Sequence, residues 1–402
     1  MNSLEEVRQG ILGAVPVPRV ASVYRTDALG LVLSSAVIAT EDVPPFANTA
    51  MDGYVVRAAD TVAATDDAPV RLGVVADLAA GYIAGVEVGV GEAIRIMTGA
   101  PMPQGADAIV MVERTERDGA NGVLIKARAT TGDHIRAAGG DVVAGQEVFD
   151  VGTVLGPAHI GVLSSLGIEQ VEVFERLRVG VLSTGDELRE GAAALGPGQI
   201  RDSNRPMLLA MVEESGCEAI DLGITRDDEA QLTEIFESAL ASCDVLVTSG
   251  GVSVGDYDVV KAVLDQLGVL RWWQVAIKPA KPLAFGLLRG VPVFGLPGNP
   301  VSSHVSFELF ARPALKQMMG HRECFRREVQ AVAEGPMPRR SDGKTHFDRV
   351  CVRYDDGQFY VMRSGAQASN ALAAMAIANG LAILPDGDGC AVGDPVRVML
   401  LH

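Results

Sequence analysis

The chain has 402 residues, a formal net charge of −17, 48% hydrophobic residues and 21% charged residues. That length exceeds one compact core and points to two to four domains, and the composition is that of an ordinary globular protein with ample apolar surface to bury. The acidic balance argues against nucleic-acid binding, no apolar run is long enough to span a bilayer, and the N-terminus lacks the basic start and apolar stretch of a secretory signal, so the expected setting is cytoplasmic, with no membrane or nucleic-acid partner.

Residues 1–40 read as helical, with Leu4, Val7, Ile11 and Leu12 at helical spacing, a second candidate helix over 26–39, and Pro16 and Pro18 between them. Residues 41–141 change to short β runs separated by glycine, such as 70–76, 108–113 and 123–127, the texture of an inserted β-rich domain. Residues 142–176 complete a helical and β connecting region with 1–40, with a helix centred on His159 to Leu163. Over 177–325 strands and helices alternate, as in a doubly wound sheet. One of its helices follows Ser203, with Pro206 in the first turn and Gly216 past the end; another follows Asp227, with Leu232, Ile235, Phe236, Ala239 and Leu240 on its apolar face. Pro313 is expected to kink the long helix that starts near Pro300. Residues 326–402 return to β, with Asp356-Gly357 marking a hairpin between two strand-like runs, and read as a small barrel or sandwich with a short helix near Ala371.

Three glycine-rich turns in the alternating region each close an apolar strand-like run: Ser183-Thr184-Gly185-Asp186-Glu187, Thr248-Ser249-Gly250-Gly251-Val252-Ser253 and Gly295-Leu296-Pro297-Gly298-Asn299-Pro300. Turns of this kind gather at the carboxyl edge of a parallel sheet, where glycines let the backbone approach an anion and consecutive N–H groups form a nest for it. The first could equally be a tight turn with Thr184 or Asp186 capping a helix, and the third a turn that starts one, since Pro300 suits a first helical position. The second is more specific: its glycines leave room for a phosphate, Ser249 and Ser253 add hydroxyls, and Asp256 and Asp258 supply carboxylates suited to a hard divalent cation. Lys278-Pro279-Ala280-Lys281 places two lysines on a proline-stiffened turn between apolar runs, a candidate oxyanion seat. The five cysteines are odd in number, widely spaced and without a CxxC pair, which suggests inert thiols rather than a zinc site or a disulfide framework. Asn48 to Tyr54 and Met97 to Ala100, in the inserted domain, have no role assignable from physics alone.

Together with Asp202 to Asn204, these strings follow the order found in the molybdenum insertase family, and over nearly its whole length the chain resembles MoeA and the E domain of gephyrin. The resemblance implies an α/β multidomain protein: a doubly wound, MogA-like α/β catalytic domain at 177–325, an inserted β-rich domain, the connecting region and a C-terminal β-barrel, assembled as a homodimer. It implies a transferase that inserts molybdate into adenylylated molybdopterin with release of AMP, served by a MogA-like adenylyltransferase and by downstream cofactor-transfer proteins. By position, Asp227 and Asp258 are similar to the acids that hold Mg2+, and Glu187 to an active-site acid. Ser249, Gly250, Gly251, Pro297 and Pro300 resemble the pterin-nucleotide cradle; Lys278, Lys281 and Ser253 resemble molybdate contacts; Arg349 and Ser369 enter from the C-terminal domain. Asp52, Thr98 and Asp141 match family positions whose domain reaches the partner protomer's site. The chain departs from the family pattern at Ala280, where glycine is usual, and at Ala373-Ala374, where serines are common. A scaffold of the same fold and a nucleotide pyrophosphatase built on the α/β unit are the competing expectations.

Overall fold

The computed structural model describes residues 1–226, 228–250, 263 and 269–401, so the expected site residues Asp227, Gly251, Ser253 and Asp258, with Asp256, lie outside the described residues. The chain divides into two compact units, one of Met1–Val23, Gly30–Ser34 and Glu172–His402, the other of Tyr24–Leu29 and Ser35–Val171. Among the described residues no helix is long and apolar enough to cross a membrane.

The larger unit is built on a six-stranded sheet in the order Glu218–Thr225, Arg178–Thr184, Val245–Ser249, Val291–Leu296, Pro282–Leu288, Val269–Gln274, whose first four strands are mutually parallel. The period-2 alternation of a strand explains how apolar runs serve two faces at once. Val179, Val181, Val245, Val247, Phe294 and Leu296 pack with Leu208, Met211 and Val212 of the helix Asn204–Glu214 and with the helical segment that begins at Pro300. Leu182, Leu246 and Val293 meet Leu232, Phe236 and Ala239 of the helix Glu229–Ser242 instead. Gly180 keeps that second layer close, because a Cβ there would come within 2.8 Å of the Leu222 and Leu246 side chains.

The same unit ends in a closed five-stranded barrel: Thr345–Asp355, Gln358–Arg363, Glu328–Ala333, Pro395–Leu400 and Gly380–Leu384, the last pairing back to the first. Asp356 and Gly357 join its first two strands with φ of 45° and 81°, the left-handed pair that a tight hairpin requires. Closure removes the exposed sheet edge. The strand Ile277–Lys278 of the α/β region pairs in parallel with Thr345 and His346, which fixes the barrel to the lysine turn.

The smaller unit holds a six-stranded sheet in the order Ala108–Met111, Gly53–Val56, Glu92–Ile96, Val70–Leu78, Gly122–Ile125, Thr115–Arg117, with one parallel pair, Val70–Leu78 and Glu92–Ile96. Alternate residues again feed two cores, Tyr54, Val56 and Val110 on one and Val55, Ile94 and Ile109 on the other. No helix forms over 26–39: Gly30 takes a left-handed φ of 79°, and the segment runs through turns and bridges to the short strand Val37–Ile38, which pairs with Glu147–Phe149. Apolar spacing there reflects scattered burial, with Ala28, Val32 and Leu33 each inaccessible.

Just before Pro313 the helix widens, and Phe307–Ala311 form a π-helical turn between Pro300–Ser306 and Arg312–Met318. Proline lacks the N–H that would bond the carbonyl four residues earlier, that of Leu309. The Arg8 guanidinium takes that place, its Nε donating to Leu309 O at 3.1 Å while its Cζ lies 4.9 Å from the Phe325 ring centroid. Arg8→Met should therefore lower stability by roughly 1–3 kcal/mol, since a partly buried carbonyl loses a charged donor; the shift in urea midpoint checks this, and an unchanged midpoint would mean that Leu309 O is served otherwise.

Candidate active site

The parallel strands end together, and their turns converge. After Arg178–Thr184 the chain does not enter a helix: Gly185 turns it with φ 148°, and Leu188–Arg189 pairs in parallel with Ile200–Arg201 before the helix Asn204–Glu214 begins. The helix is capped neither by Thr184 nor by Asp186. Ser203 stands at the cap position but makes no side-chain bond there. Asp202 replaces it, with Oδ1 accepting from the amides of Asn204 at 3.1 Å and Arg205 at 3.2 Å and from Ser183 Oγ at 3.1 Å. One carboxylate thus ties the end of a strand to the start of a helix. Arg205, 3% exposed, completes the joint through Asp202 at 3.2 Å, Glu190 at 2.7 Å and Asp221.

Asn204, at the first position of this helix, joins the other two turns. Its Nδ2 donates to Ser249 Oγ and to Gly298 O, each at 2.7 Å. A carbonyl can only accept, so Gly298 fixes which end of the amide faces the turns. The Gly250 amide donates to Leu296 O at 3.1 Å, and a Cβ on Gly298 would lie 3.8 Å from Gly250 Cα. Gly250 has φ 94°, and a Cβ there would sit 2.7 Å from Thr184 O and 3.0 Å from its Oγ1, so only glycine fits where the first and second turns touch. Thr184 Oγ1, Thr248 Oγ1 and Asn204 Oδ1 are buried at this edge without a hydrogen-bond partner among the described residues. The Glu187 side chain, exposed, lies over Gly185, its Oε2 2.5 Å from where a Cβ would stand.

Two further groups arrive at the same edge. Ala284 pairs with Gly295 in antiparallel register, so the start of Pro282–Leu288, and with it Lys281, lies beside the end of Val291–Leu296 and the Pro297–Pro300 turn. Lys278 and Lys281 are exposed on a turn tied back by Val275 N to Lys281 O at 2.8 Å. Between them Ala280 is 3% exposed and has φ 77°, a conformation that glycine adopts without strain and alanine does not. From the barrel, Ser369 O accepts from Val301 N at 3.1 Å, next to Pro300. Arg349 stands behind it, 1% exposed, with Nη2 donating to Ala366 O at 2.9 Å and Ala368 O at 3.1 Å, so its guanidinium holds the loop that carries Ser369.

In the smaller unit, the two strings without an evident role form one structure. Asp52 Oδ1 accepts from both the amide and the hydroxyl of Thr98 at 2.7 Å, and Gly99 N donates to Thr49 O at 2.9 Å. These bonds from Thr98 hold the Asp52 carboxyl below its ordinary range. Gly53 is obligatory, because a Cβ would lie 2.1 Å from Val110 O. Asp141 is exposed in the same unit, its amide bonded to Val43 O at 2.9 Å.

The residues brought to one edge are thus Glu187, Ser249, Gly250, Pro297, Pro300, Lys281 and Ser369, with Arg349 in support and Lys278 three residues before Lys281 on the same turn. Asn204 and Asp202 were not foreseen as site-builders, although both fall in the string Asp202 to Asn204; a polar pair at the start of a helix that faces two glycine turns was the available signal. Among the described residues no group of three or more His, Cys, Asp or Glu side chains could hold a metal ion. Cys217 is buried, with its thiol pushed up to about 12 by burial, which suits an inert residue rather than a nucleophile.

A doubly wound sheet with glycine turns locked together at its carboxyl edge places the chain among the α/β proteins that carry their sites at that edge. Comparison with known proteins gives the family. The MoeA N-terminal region (domains I and II) matches residues 2–167, the probable molybdopterin-binding domain 180–317 and the MoeA C-terminal region (domain IV) 336–401. Molybdopterin molybdenumtransferase 2 of Mycobacterium tuberculosis is 40% identical over 394 residues, 96% of each chain, and the molybdopterin molybdenumtransferase of Haemophilus influenzae is 34% identical over 401 residues, 99% of this chain and 98% of that one. A solved molybdopterin biosynthesis MoeA protein from Pyrococcus horikoshii superposes with a TM-score of 0.82 at 30% identity, covering 100% of both chains. The chain belongs to the molybdopterin molybdenumtransferase (MoeA) family, transferases of molybdenum cofactor biosynthesis.

Asn204→Ala should cost roughly 1–3 kcal/mol of stability, because Ser249 Oγ and Gly298 O both lose a donor. Gly250→Ala should cost at least as much through strain and the clash with Thr184. Thermal or urea unfolding of the two variants checks both, and wild-type stability in Asn204→Ala would mean that the turns hold without the bridge.

Proposed function

We propose that this chain inserts molybdate into adenylylated molybdopterin and releases AMP, as a cytoplasmic homodimer that receives its substrate from a MogA-like adenylyltransferase and passes the product to cofactor-transfer proteins. The observation that carries the reading is the Asn204 bridge, which fixes Ser249 and Gly298 at the edge where Lys281 leads into the strand Pro282–Leu288. The Ser249 hydroxyl and the amides of Gly298 and Asn299 hold the pterin phosphates through dipoles that need no rearrangement. Lys278 and Lys281 hold the molybdate dianion and offset its repulsion from those phosphates. Ser369 closes the cradle from the barrel, while Asp52, Thr98 and Asp141 act in the site of the partner protomer.

Asp227 and Asp258 are the residues assigned to magnesium, which when bound neutralises phosphate charge. Holding the two anionic substrates together turns a bimolecular encounter into a positioned one. Attack by water on the adenylyl phosphorus then breaks the pyrophosphate bond, with AMP formed and the phosphate left on molybdopterin. Attack there by a molybdate oxygen expels the same phosphate and gives adenylyl-molybdate, which water cleaves to AMP and molybdate. No protein nucleophile is required.

The test is an assay with purified protein, adenylylated molybdopterin, magnesium and molybdate, following AMP together with reconstitution of an apo-molybdoenzyme. Molybdate-dependent release of AMP with reconstitution is expected. AMP release indifferent to molybdate would make the protein a pyrophosphatase, and pterin binding without release would make it a scaffold. Asp258→Ala should abolish insertion while leaving the fold intact. Lys281→Ala should raise the molybdate half-saturation roughly ten- to hundredfold, the value of one lost charge-assisted bond, with little change for the pterin; equal loss of both would place the lysine on the nucleotide instead.

A further inference from the structure

Beside the lysine turn lies a cluster of ionisable groups that the reaction above leaves without a task. Lys278 is the register partner of His346 in the parallel pair that joins the turn to the barrel. Partners on adjacent strands lie about 5 Å apart, with side chains on the same face. His346 is 8% exposed, and its Nε2 lies 3.2 Å from each carboxylate oxygen of Asp342. Asp342 also accepts from Arg339 Nη2 at 3.0 Å and pairs with Lys344 Nζ at 3.3 Å. Arg339, 1% exposed in its side chain, is itself pinned by Asp386 at 2.8 Å and by the carbonyls of Lys344, Leu384 and Pro385. The cluster is therefore built and held, while the Lys278 side chain next to it is exposed.

Charge states follow from these neighbours. Although desolvation works the other way, hydrogen bonds from His346 and Lys344 hold Asp342 at about 2, so it is a full carboxylate at neutral pH. Burial keeps the His346 imidazolium below its ordinary range despite Asp342, and the positive charges of Arg339 and Lys278 press the same way. A neutral imidazole then donates Nε2–H to Asp342, while its own residue is the register partner of Lys278. This matters because an ammonium that pairs with an internal acid is no longer free to take a ligand anion, and the apparent affinity falls by the fraction so engaged.

We propose that His346 is a positioning residue that keeps Asp342 engaged and apart from Lys278, leaving the Lys278 ammonium available to an oxyanion of the size and charge of molybdate. The oxyanion part rests on the function assigned to Lys278 above; the separation of the two charges does not.

Competitive labelling of lysines with acetic anhydride, read peptide by peptide by mass spectrometry, tests the separation without any substrate. In His346→Ala, Asp342 should pair with Lys278 and slow its acetylation roughly fivefold, because pairing stabilises the protonated amine. Adding Asp342→Asn, or substituting His346→Gln, which retains a donor, should restore the wild-type rate. Molybdate half-saturation should rise roughly tenfold in His346→Ala, recover in the same two variants, and leave pterin half-saturation unmoved. Unchanged Lys278 labelling in His346→Ala, or no recovery in the double variant, overturns the proposal. Labelling that responds while molybdate half-saturation does not would overturn the oxyanion role of Lys278 instead. Should the alanine variant fail to fold, His346→Leu keeps bulk but donates nothing, and carries the same expectation.

Discussion

A parallel sheet ends in turns that must be brought together without side chains filling the space between them. Here a single amide meets that constraint, with Asn204 Nδ2 bonded at once to Ser249 Oγ and Gly298 O. Its own position is set by Asp202, whose carboxylate caps the helix and holds Ser183 at the end of the neighbouring strand. Three strands and one helix are thereby locked at one edge through two side chains that are two positions apart in sequence. Glycine is needed where the turns touch: Gly250 cannot carry a Cβ against Thr184 O, and Gly180 cannot carry one against the layer behind. Shape and polarity of the edge are fixed before any ligand arrives, the condition under which backbone dipoles act most strongly on an anion.

The barrel belongs to this arrangement rather than being an appendage. It pairs with the lysine turn through Thr345 and His346, and its loop at 366–369 is held by the buried Arg349 so that Ser369 meets the helix starting at Pro300. Arg349 was expected to reach the ligand, and the structure gives its Nη2 to two carbonyls of that loop. A guanidinium used this way shapes a site by positioning others, which differs in kind from direct contact. Arg8 does the same for the helix after Pro300, accepting the consequence of Pro313 four residues beyond Leu309.

How much of this could be read from the residues depended on whether the signal was local. The turn at Gly185, the Asp356-Gly357 hairpin and the apolar face of the helix Glu229–Ser242 are written in consecutive or periodic residues, and the structure has each of them. The supposed helix over 26–39 rested on hydrophobic count without a cap, and Gly30 defeats it. Ser203 looked like a cap by type, yet Asp202 does that work because the strand end Ser183 lies within its reach, a fact of tertiary structure. Likewise Asn48 to Tyr54 and Met97 to Ala100 say nothing apart; only when Asp52 meets Thr98 across the fold do they become one element. The acids assigned to magnesium, Asp227 and Asp258, lie outside the described residues, and their assignment stays with the sequence.

A net charge of −17 is a poor basis for the proposed gathering of phosphates and an oxyanion. The resolution lies in which cations are left unspent. Many arginines are consumed internally: Arg205 by Asp202, Glu190 and Asp221; Arg326 by Glu308 and Glu214; Arg339 by Asp342 and Asp386; Arg363 by Asp348. Lysine is scarce, occurring only at 126, 261, 278, 281, 316 and 344, and two of these six stand in the turn beside the cradle. The surrounding acids repel anions at long range, but solvent screens that repulsion within about 10 Å, whereas a lysine in contact acts unscreened. Selectivity for an anion then depends less on total charge than on keeping the few available ammonium groups from their own carboxylates. In a chain this acidic, a histidine that bonds Asp342 and is the register partner of Lys278 is placed to serve that separation.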